Sequence, residues 1–301
     1  MKNKQTFLRL VAVIFLFAIG AFVSSCTKSA DPISGEVAQT ASNESATASQ
    51  TNETDDMATS ALAKVDAPTG RMGATLLDDD RFKCATITPD TASFKTKGSG
   101  KVTIDFGTGC LDSKGNTRVG KIIVTWSGGR WFTAGAVYTI TFSGYSINSV
   151  KFSDSDHRTV TNITTQSSPL TWTVDASHNL TWPDATTASR TVNETRQWVR
   201  SQTIEGDKFI ISQTLGAANA ASGTNRHGKS YTMQITTPLE YDRSCAITNK
   251  VFLPVKGVKV ITFDSNKEVT IDFGNGTCDN TFTITVNGHS KSITASNDSS
   301  N

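Results

Sequence analysis

The sequence predicts an all-β body: an antiparallel meander forming a sandwich or open barrel with two related halves. Three observations predict it. Apolar residues alternate with threonine over several runs, the pattern of a strand with one face buried and one in water. Clusters of Gly, Asn, Asp and Ser separate those runs, as turns do. A segment of eight residues also occurs twice, each time between two cysteines.

In chain order, the first repeat copy is Val102 to Gly109, and Lys121–Trp126 follows it as a strand. Alternation continues through Tyr138–Phe142 and Leu170–Val174, with Ser127-Gly128-Gly129 and Asp175–Asn179 read as turns. Residues 185 to 201 are the most ambiguous stretch, and their Thr, Val and Trp content favours a strand over a helix. Tyr231–Ile235 alternates again. The second repeat copy, Val269 to Gly276, lies 167 residues after the first (269 − 102) and differs from it at one position, Asn275 for Thr108. Phe282–Val286 and the turn Val286–His289 close the body. The repeat spacing is too long for a solenoid and suggests duplicated halves, divided near residues 65–165 and 166–295.

Cys84 and Cys110 bracket the first copy, and Cys245 and Cys278 bracket the second. Pairing within each copy gives Cys84–Cys110 and Cys245–Cys278. The fifth cysteine, Cys26, stands apart near the start. Four body cysteines suit disulfides in an oxidising compartment.

The start of the chain predicts export. Lys2, Lys4 and Arg9 precede a run of 13 mostly apolar residues, Leu10 to Phe22, too short to span a ~30 Å hydrocarbon layer. Val23-Ser24-Ser25-Cys26 follows. It resembles the lipobox read by bacterial lipoprotein signal peptidase. That resemblance implies a signal peptide over 1–25, cleavage before Cys26, and acyl chains on the Cys26 thiol. Two or three such chains anchor stably, at ~0.8 kcal/mol per buried CH₂. Thr27, where enteric inner-membrane lipoproteins carry Asp, favours the outer membrane. Residues 26–64 are rich in Ser, Thr, Ala, Asn and Gln. They are read as a flexible tether, averaging roughly 30–35 Å end to end, that holds the body (65–295) off the membrane. The tail, 296–301, is polar.

The run Thr103–Cys110, followed by Gly120–Trp126 and by residues 134–142, resembles envelope lipoproteins of Bacteroidota whose activity is uncharacterised. That resemblance extends loosely over residues 80 to 290. It implies class and location and carries no catalytic residue. Asp90-Thr91-Ala92 resembles the O-glycosylation site of that phylum, which makes Thr91 a candidate.

The formal net charge is +2, of which +3 lies in Lys2, Lys4 and Arg9. The body therefore lacks the clustered basic surface that nucleic acid requires. Residues 223–230 match the P-loop pattern, Gly223 to Lys229-Ser230. The flanking residues offer neither a buried strand before nor a helix after, so the segment reads as a hairpin and no nucleotide is expected. The four His (157, 178, 227 and 289) are far apart in sequence, and the acidic turns Asp78–Asp80 and Asp154–Asp156 read as solvated. No metal, cofactor or catalytic residue is therefore assigned. All five Trp fall between 126 and 198. They read as core, with Trp131 the one expected near the surface.

The expectation is a non-catalytic envelope lipoprotein at the outer membrane. It would be held by its N-terminal lipid and act as a binding or scaffolding module for a surface glycan or protein. The alternatives are a lipid carrier or chaperone whose sheet encloses an apolar cavity, and a secreted enzyme acting on glycan or peptide.

Overall fold

A computed structural model describes residues 33, 35–66, 79–90, 98–113, 115–165, 169–203, 206–246, 253–263 and 267–294. The expected signal peptide, Cys26, Thr91 and the polar tail lie outside the described residues.

One helix, α1 (Gly35–Asp66), precedes sixteen strands among the described residues. The first eight are β1 (Thr86–Pro89), β2 (Ser99–Asp105), β3 (Cys110–Leu111), β4 (Thr117–Ser127), β5 (Val137–Ile147), β6 (Val150–Phe152), β7 (His157–Asn162) and β8 (Leu170–Thr181). The second eight are β9 (Thr187–Val199), β10 (Lys208–Gln213), β11 (Ala221–Thr224), β12 (Ser230–Asp242), β13 (Lys256–Phe263), β14 (Lys267–Asn275), β15 (Thr281–Val286) and β16 (His289–Thr294). All belong to one antiparallel sheet in which sequence neighbours pair, with β3, β7 and β11 off the main path. The all-β expectation holds for the body. The meander has no break between residues 165 and 166, because β7 pairs with β8 over six positions and the core is one cluster. The body is therefore one sheet, and the expected division into two units does not appear.

Alternation sets the faces. On β5, Tyr138, Ile140 and Phe142 are buried, while Thr139 and Thr141 are only half-buried. On β8, Trp172, Val174, Ala176, His178 and Leu180 point inward, and Asp175 and Asn179 face water. Asp175–Asn179, expected as a turn, is therefore the middle of a strand held by its pairing with β7 and β9. Residues 185–201 contain β9, as their composition predicts.

The polar stretch expected to be a flexible tether is, from Gly35 to Asp66, a helix of 32 residues. From Thr40 to Leu62 no residue of α1 is exposed. The sheet curls around it: α1 carboxylates form ion pairs with Arg118 of β4, Arg158 of β7, Arg190 and Arg196 of β9, and Lys259 of β13. Small side chains such as Ala41, Ser45, Ala48, Ala58 and Ala61 keep the helix slim enough to be surrounded. Buried hydroxyls find acceptors within the helix, as where Thr51 donates to Thr47 O at 3.0 Å and Thr54 donates to Thr51 O at 2.7 Å. The ordering cost that argued for disorder is met by ion pairs and enclosure, which composition does not display.

The two repeat copies form equivalent strand–turn units toward the two edges of the sheet. β2 lies between β1 and β4, and β14 lies between β13 and β15. In both copies the Asp accepts from the glycine N–H two residues on at 2.8 Å, Asp105 from Gly107 and Asp272 from Gly274. Both glycines have positive φ, +60° and +84°, which explains why glycine recurs there. Both expected disulfides form, Cys84–Cys110 and Cys245–Cys278.

The bonds close loops of 26 and 33 residues, each worth about 3.5 kcal/mol in the chain-entropy account. Replacing Cys84 and Cys110 together with Ala is expected to lower the denaturant midpoint by the equivalent of ~2–4 kcal/mol, with Cys245–Cys278 still intact by thiol titration. An unchanged midpoint would show that the first disulfide does not constrain the unfolded chain.

Candidate functional site: a charged interior and an aromatic-walled cavity

The inner face of the sheet carries cations at positions where alternation calls for apolar residues. Arg158 shares a face with Val160, Arg190 with Val192, and Lys259 with Ile261. Each meets a carboxylate of α1, so the helix and sheet are complementary along their length. Glu44 is fully buried and accepts from Lys259 Nζ and from Arg190 Nε, the latter at 3.3 Å. Burial pushes the Glu44 carboxyl up, but Lys259 and Arg190 outweigh it and hold it below the usual carboxylate range. Glu53 pairs with Arg118, whose Nη1 also reaches Asp112 at 2.7 Å.

Farther along, Asp55 is shared by Arg158 and by Arg196, the latter at 2.9 Å. Arg196 also reaches Glu194 at 3.1 Å and donates to Asn52 Oδ1 at 2.6 Å. Burial dominates at Asp55 and raises its pKa despite both arginines. Burial likewise brings Arg158, fully enclosed, down to about 10 despite Asp55. Asp56 is shared by Arg81 at 2.5 Å and Arg243 at 3.4 Å. There the two guanidiniums overcome burial and hold the carboxyl low.

Between the C-terminal half of α1 and β7–β12 lies a cavity of about 80 Å³. Its charged lining comes from Asp55, Asp56, Arg158, Arg196, Asp242 and Arg243. Trp172, Phe209, Tyr138 and Tyr241 form aromatic walls, and Val160, Val174 and Ile211 an apolar flank. Burial pushes the Tyr138 hydroxyl up to about 12. Asn52 Nδ2 donates to the Tyr241 hydroxyl at 2.8 Å.

Next to the cavity the tryptophans stack. Trp131 lies 6.2 Å from Trp172 and 5.9 Å from Trp198, and Trp198 lies 6.0 Å from Phe209. Trp198 Nε1 donates to the buried carboxylate of Asp207 at 2.9 Å. The core reading holds for Trp172, Trp182 and Trp198, whereas Trp126 is only partly buried. Trp131, expected near the surface, is 6 % exposed, because the loop after β4 folds over this end of the sheet.

The P-loop-like segment is the hairpin joining β11 to β12. Asn225 organises its turn by accepting from His227 N at 2.9 Å and Lys229 N at 3.0 Å, and it donates to Thr40 of α1 at 3.0 Å. Gly223 is required because β9 comes close: a Cβ there would sit 1.9 Å from Ser189 O. The acidic turns, expected to be solvated, hold backbone, and Asp156 is buried because its carboxylate serves the amides of Ser153 and Asn179. Asp154 accepts from Gly144 N at 2.7 Å, Asp156 from Asn179 N at 2.8 Å, and Asp80 from Ser113 N at 2.5 Å. Among the described residues no three His, Cys, Asp or Glu side chains are grouped to hold a metal ion. Sequence reasoning missed the ion-paired interior. Its signal was present as charged residues in the buried phase of β7, β9 and β13.

Compared with protein-family models, curated proteins and solved structures, the chain matches none.

Two predictions concern this interior. Glu44→Ala leaves Lys259 buried beside a second cation and is expected to cost ~3–5 kcal/mol by denaturant unfolding. Glu44→Met with Lys259→Met, which removes both charges, should cost less than the single change. A double variant at least as destabilised as Glu44→Ala would contradict the pairing account. His178 is 1 % exposed, and burial with Arg158 nearby holds its imidazole well below its ordinary pKa. A base depressed in the folded state takes up its proton on unfolding. Stability should therefore fall as the pH drops below ~6.5, by at most ~1.4 kcal/mol per pH unit. His178→Phe should flatten that slope between pH 6.5 and 5. The carboxylates held low, Glu44, Asp56 and Glu194, act in a separate window below about pH 4, while Asp55 acts in the opposite sense.

Proposed function

We propose that this chain is a non-catalytic lipoprotein of the outer membrane that serves as a binding module. The observation that carries the reading is the occupied interior. The concave face of the sheet, where a carrier would hold lipid, is filled by the chain's own helix and its ion pairs. This favours a binder over a lipid carrier. It also favours a binder over an enzyme, since the buried carboxylates Glu44, Asp55, Asp56 and Glu194 are each engaged by at least two cations. Outward positions such as Thr173, Asp175, Ser189, Thr191 and Gln197 form a polar outer face for a glycan or protein partner.

Helix α1 also changes how such an anchor would act. Ile33 is already buried, seven residues after Cys26 (33 − 26). Seven residues span at most ~25 Å. A lipid on Cys26 would thus hold the body against the membrane, not on a long leash. The rim carrying the β8–β9 and β11–β12 turns, where Asn225 meets Thr40, would face the bilayer.

Mass spectrometry of the mature N-terminus should find a diacylglyceryl group on Cys26. Cys26→Ser should shift the protein from the membrane to the soluble fraction and slow its maturation. Unchanged membrane partition of Cys26→Ser would overturn the lipoprotein reading. Turnover of glycan or peptide substrates by the purified body would overturn the non-catalytic one.

A further inference from the structure

The cavity beside α1 is lined by more donors than the protein can satisfy. Arg158 Nε, Nη1 and Nη2, Arg196 Nε, Arg243 Nε and Nη1, and Trp172 Nε1 are buried without a hydrogen-bond acceptor among the described residues. Asp55 Oδ1 is the one carboxylate oxygen of the lining in the same position. Two of these arginines do come within ion-pair distance of carboxylates: Arg158 Nη2 of Asp55, and Arg243 Nη1 of Asp56 at 3.4 Å. Neither contact is aligned as a hydrogen bond.

The ion pairing singles out two of these arginines. Asp55 and Asp56 serve four guanidiniums, those of Arg81, Arg158, Arg196 and Arg243. Arg81 has Asp79 as a second carboxylate partner and Arg196 has Glu194. Arg158 and Arg243 have no second one among the described residues, and both are at least nine-tenths buried. Asp242 also lines the cavity, but its Oδ1 is taken by Ser244, whose N donates at 2.8 Å and whose hydroxyl donates at 2.6 Å.

We propose that this cavity binds a small oxyanion, a carboxylate or phosphate group on a compact molecule, held chiefly by Arg158 and Arg243. A water molecule lends two lone pairs to these donors but brings two donors of its own, which must then be placed on the carboxylate oxygens of the lining. A carboxylate or phosphate oxygen brings acceptors alone, and guanidinium forks match its geometry. The volume of about 80 Å³ corresponds to roughly five to eight water positions at ~10–15 Å³ each. That admits phosphate or a short carboxylate, with Val160, Val174 and Ile211 against the carbon chain. The proposal rests on the binding-module reading but not on the lipid anchor.

The test is calorimetry and thermal shift on the purified mature protein with inorganic phosphate, butyrate and the neutral polyol ribitol, at constant ionic strength. At least one anion should bind saturably at one site per chain and raise Tm. Arg243→Gln should weaken that binding at least tenfold, and Val174→Phe, which fills the cavity, should abolish it. Since Arg158→Gln risks misfolding, Trp172→Phe serves as the mild variant. It loses a single donor and should weaken binding a few-fold with unchanged circular dichroism. Preference for butyrate over phosphate assigns a carboxylate ligand, and the reverse assigns a phosphate. The oxyanion assignment is overturned if neither anion saturates, or if folded Arg243→Gln and Val174→Phe bind as the parent does. Saturable ribitol binding that Val174→Phe alone removes would overturn the anion while leaving a binding module in place.

Discussion

Everything in this molecule depends on the pairing of carboxylates on one helix with guanidinium and ammonium groups on the sheet around it. A helix rich in Ser, Thr, Ala and Asn has no apolar stripe to bury and is not expected to be stable alone. Enclosed by a sheet, its charges would be costly unless each met a partner. Glu44, Glu53 and Asp55 meet cations from strands spread across the sheet order, from β4 to β13, and Asp56 meets Arg81 and Arg243 from the segments before β1 and after β12. The helix and the curl of the sheet therefore specify each other. Without the helix, Arg118, Arg158, Arg190 and Lys259 would face one another on a concave surface. Without the sheet, the helix has little to hold it.

The curl has local causes as well. Register shifts interrupt β4–β5 between Val119 and Lys121, and β12–β13 between Ile235 and Glu240. Such bulges bend a strand and increase its twist. The duplicated unit lies toward each edge of the sheet, and its second copy carries a further register shift, opposite Lys256 and Val258 of β13. There one disulfide ties β3 to the segment before β1, and the other ties the segment after β12 to the β14–β15 connection. Duplication thus built the margins, while the middle, β5 to β12, supplies most of the inward arginines.

Most strands and turns and both cystines were legible because each rests on local chemistry: alternation, positive-φ glycines, and cysteines bracketing a repeated segment. Asp175–Asn179, with turn-forming residues, is strand because it is paired on both sides. The hairpin at Gly223–Ser230 was legible for the same reason, since Tyr231–Ile235 alternates. The helix was not. Its composition matches that of a disordered chain, and its stability comes from partners up to 215 residues away, as in Glu44 with Lys259. The candidate cavity was hidden with it, because Asp55 and Asp56 of its charged lining belong to α1. One clue was readable. An arginine in the buried phase of a strand, as at Arg158 two residues before Val160, requires an acid inside the fold. The supposed tether was a long acid-bearing segment without a strand pattern. Trp131 misled for a related reason, as glycines beside it signalled a turn but not the fold of that turn over the end of the sheet.

Pairing across such distances also constrains how the chain folds. Contacts between α1 and β13 join the first and last parts of the described chain, so their closure follows most of the sheet pairing. An intermediate with the sheet formed and the helix undocked would leave Arg158 and Lys259 without their carboxylate partners on one concave face, beside Arg118, Arg190 and Arg196, which keep Asp112 and Glu194. That face would bind its own helix as readily as any acidic segment of another chain. The intramolecular helix wins through effective concentration, because it is tethered to the sheet it fills. The order of elements supports that outcome. α1 precedes every strand, so each cation emerges on a chain that already carries its carboxylate partner.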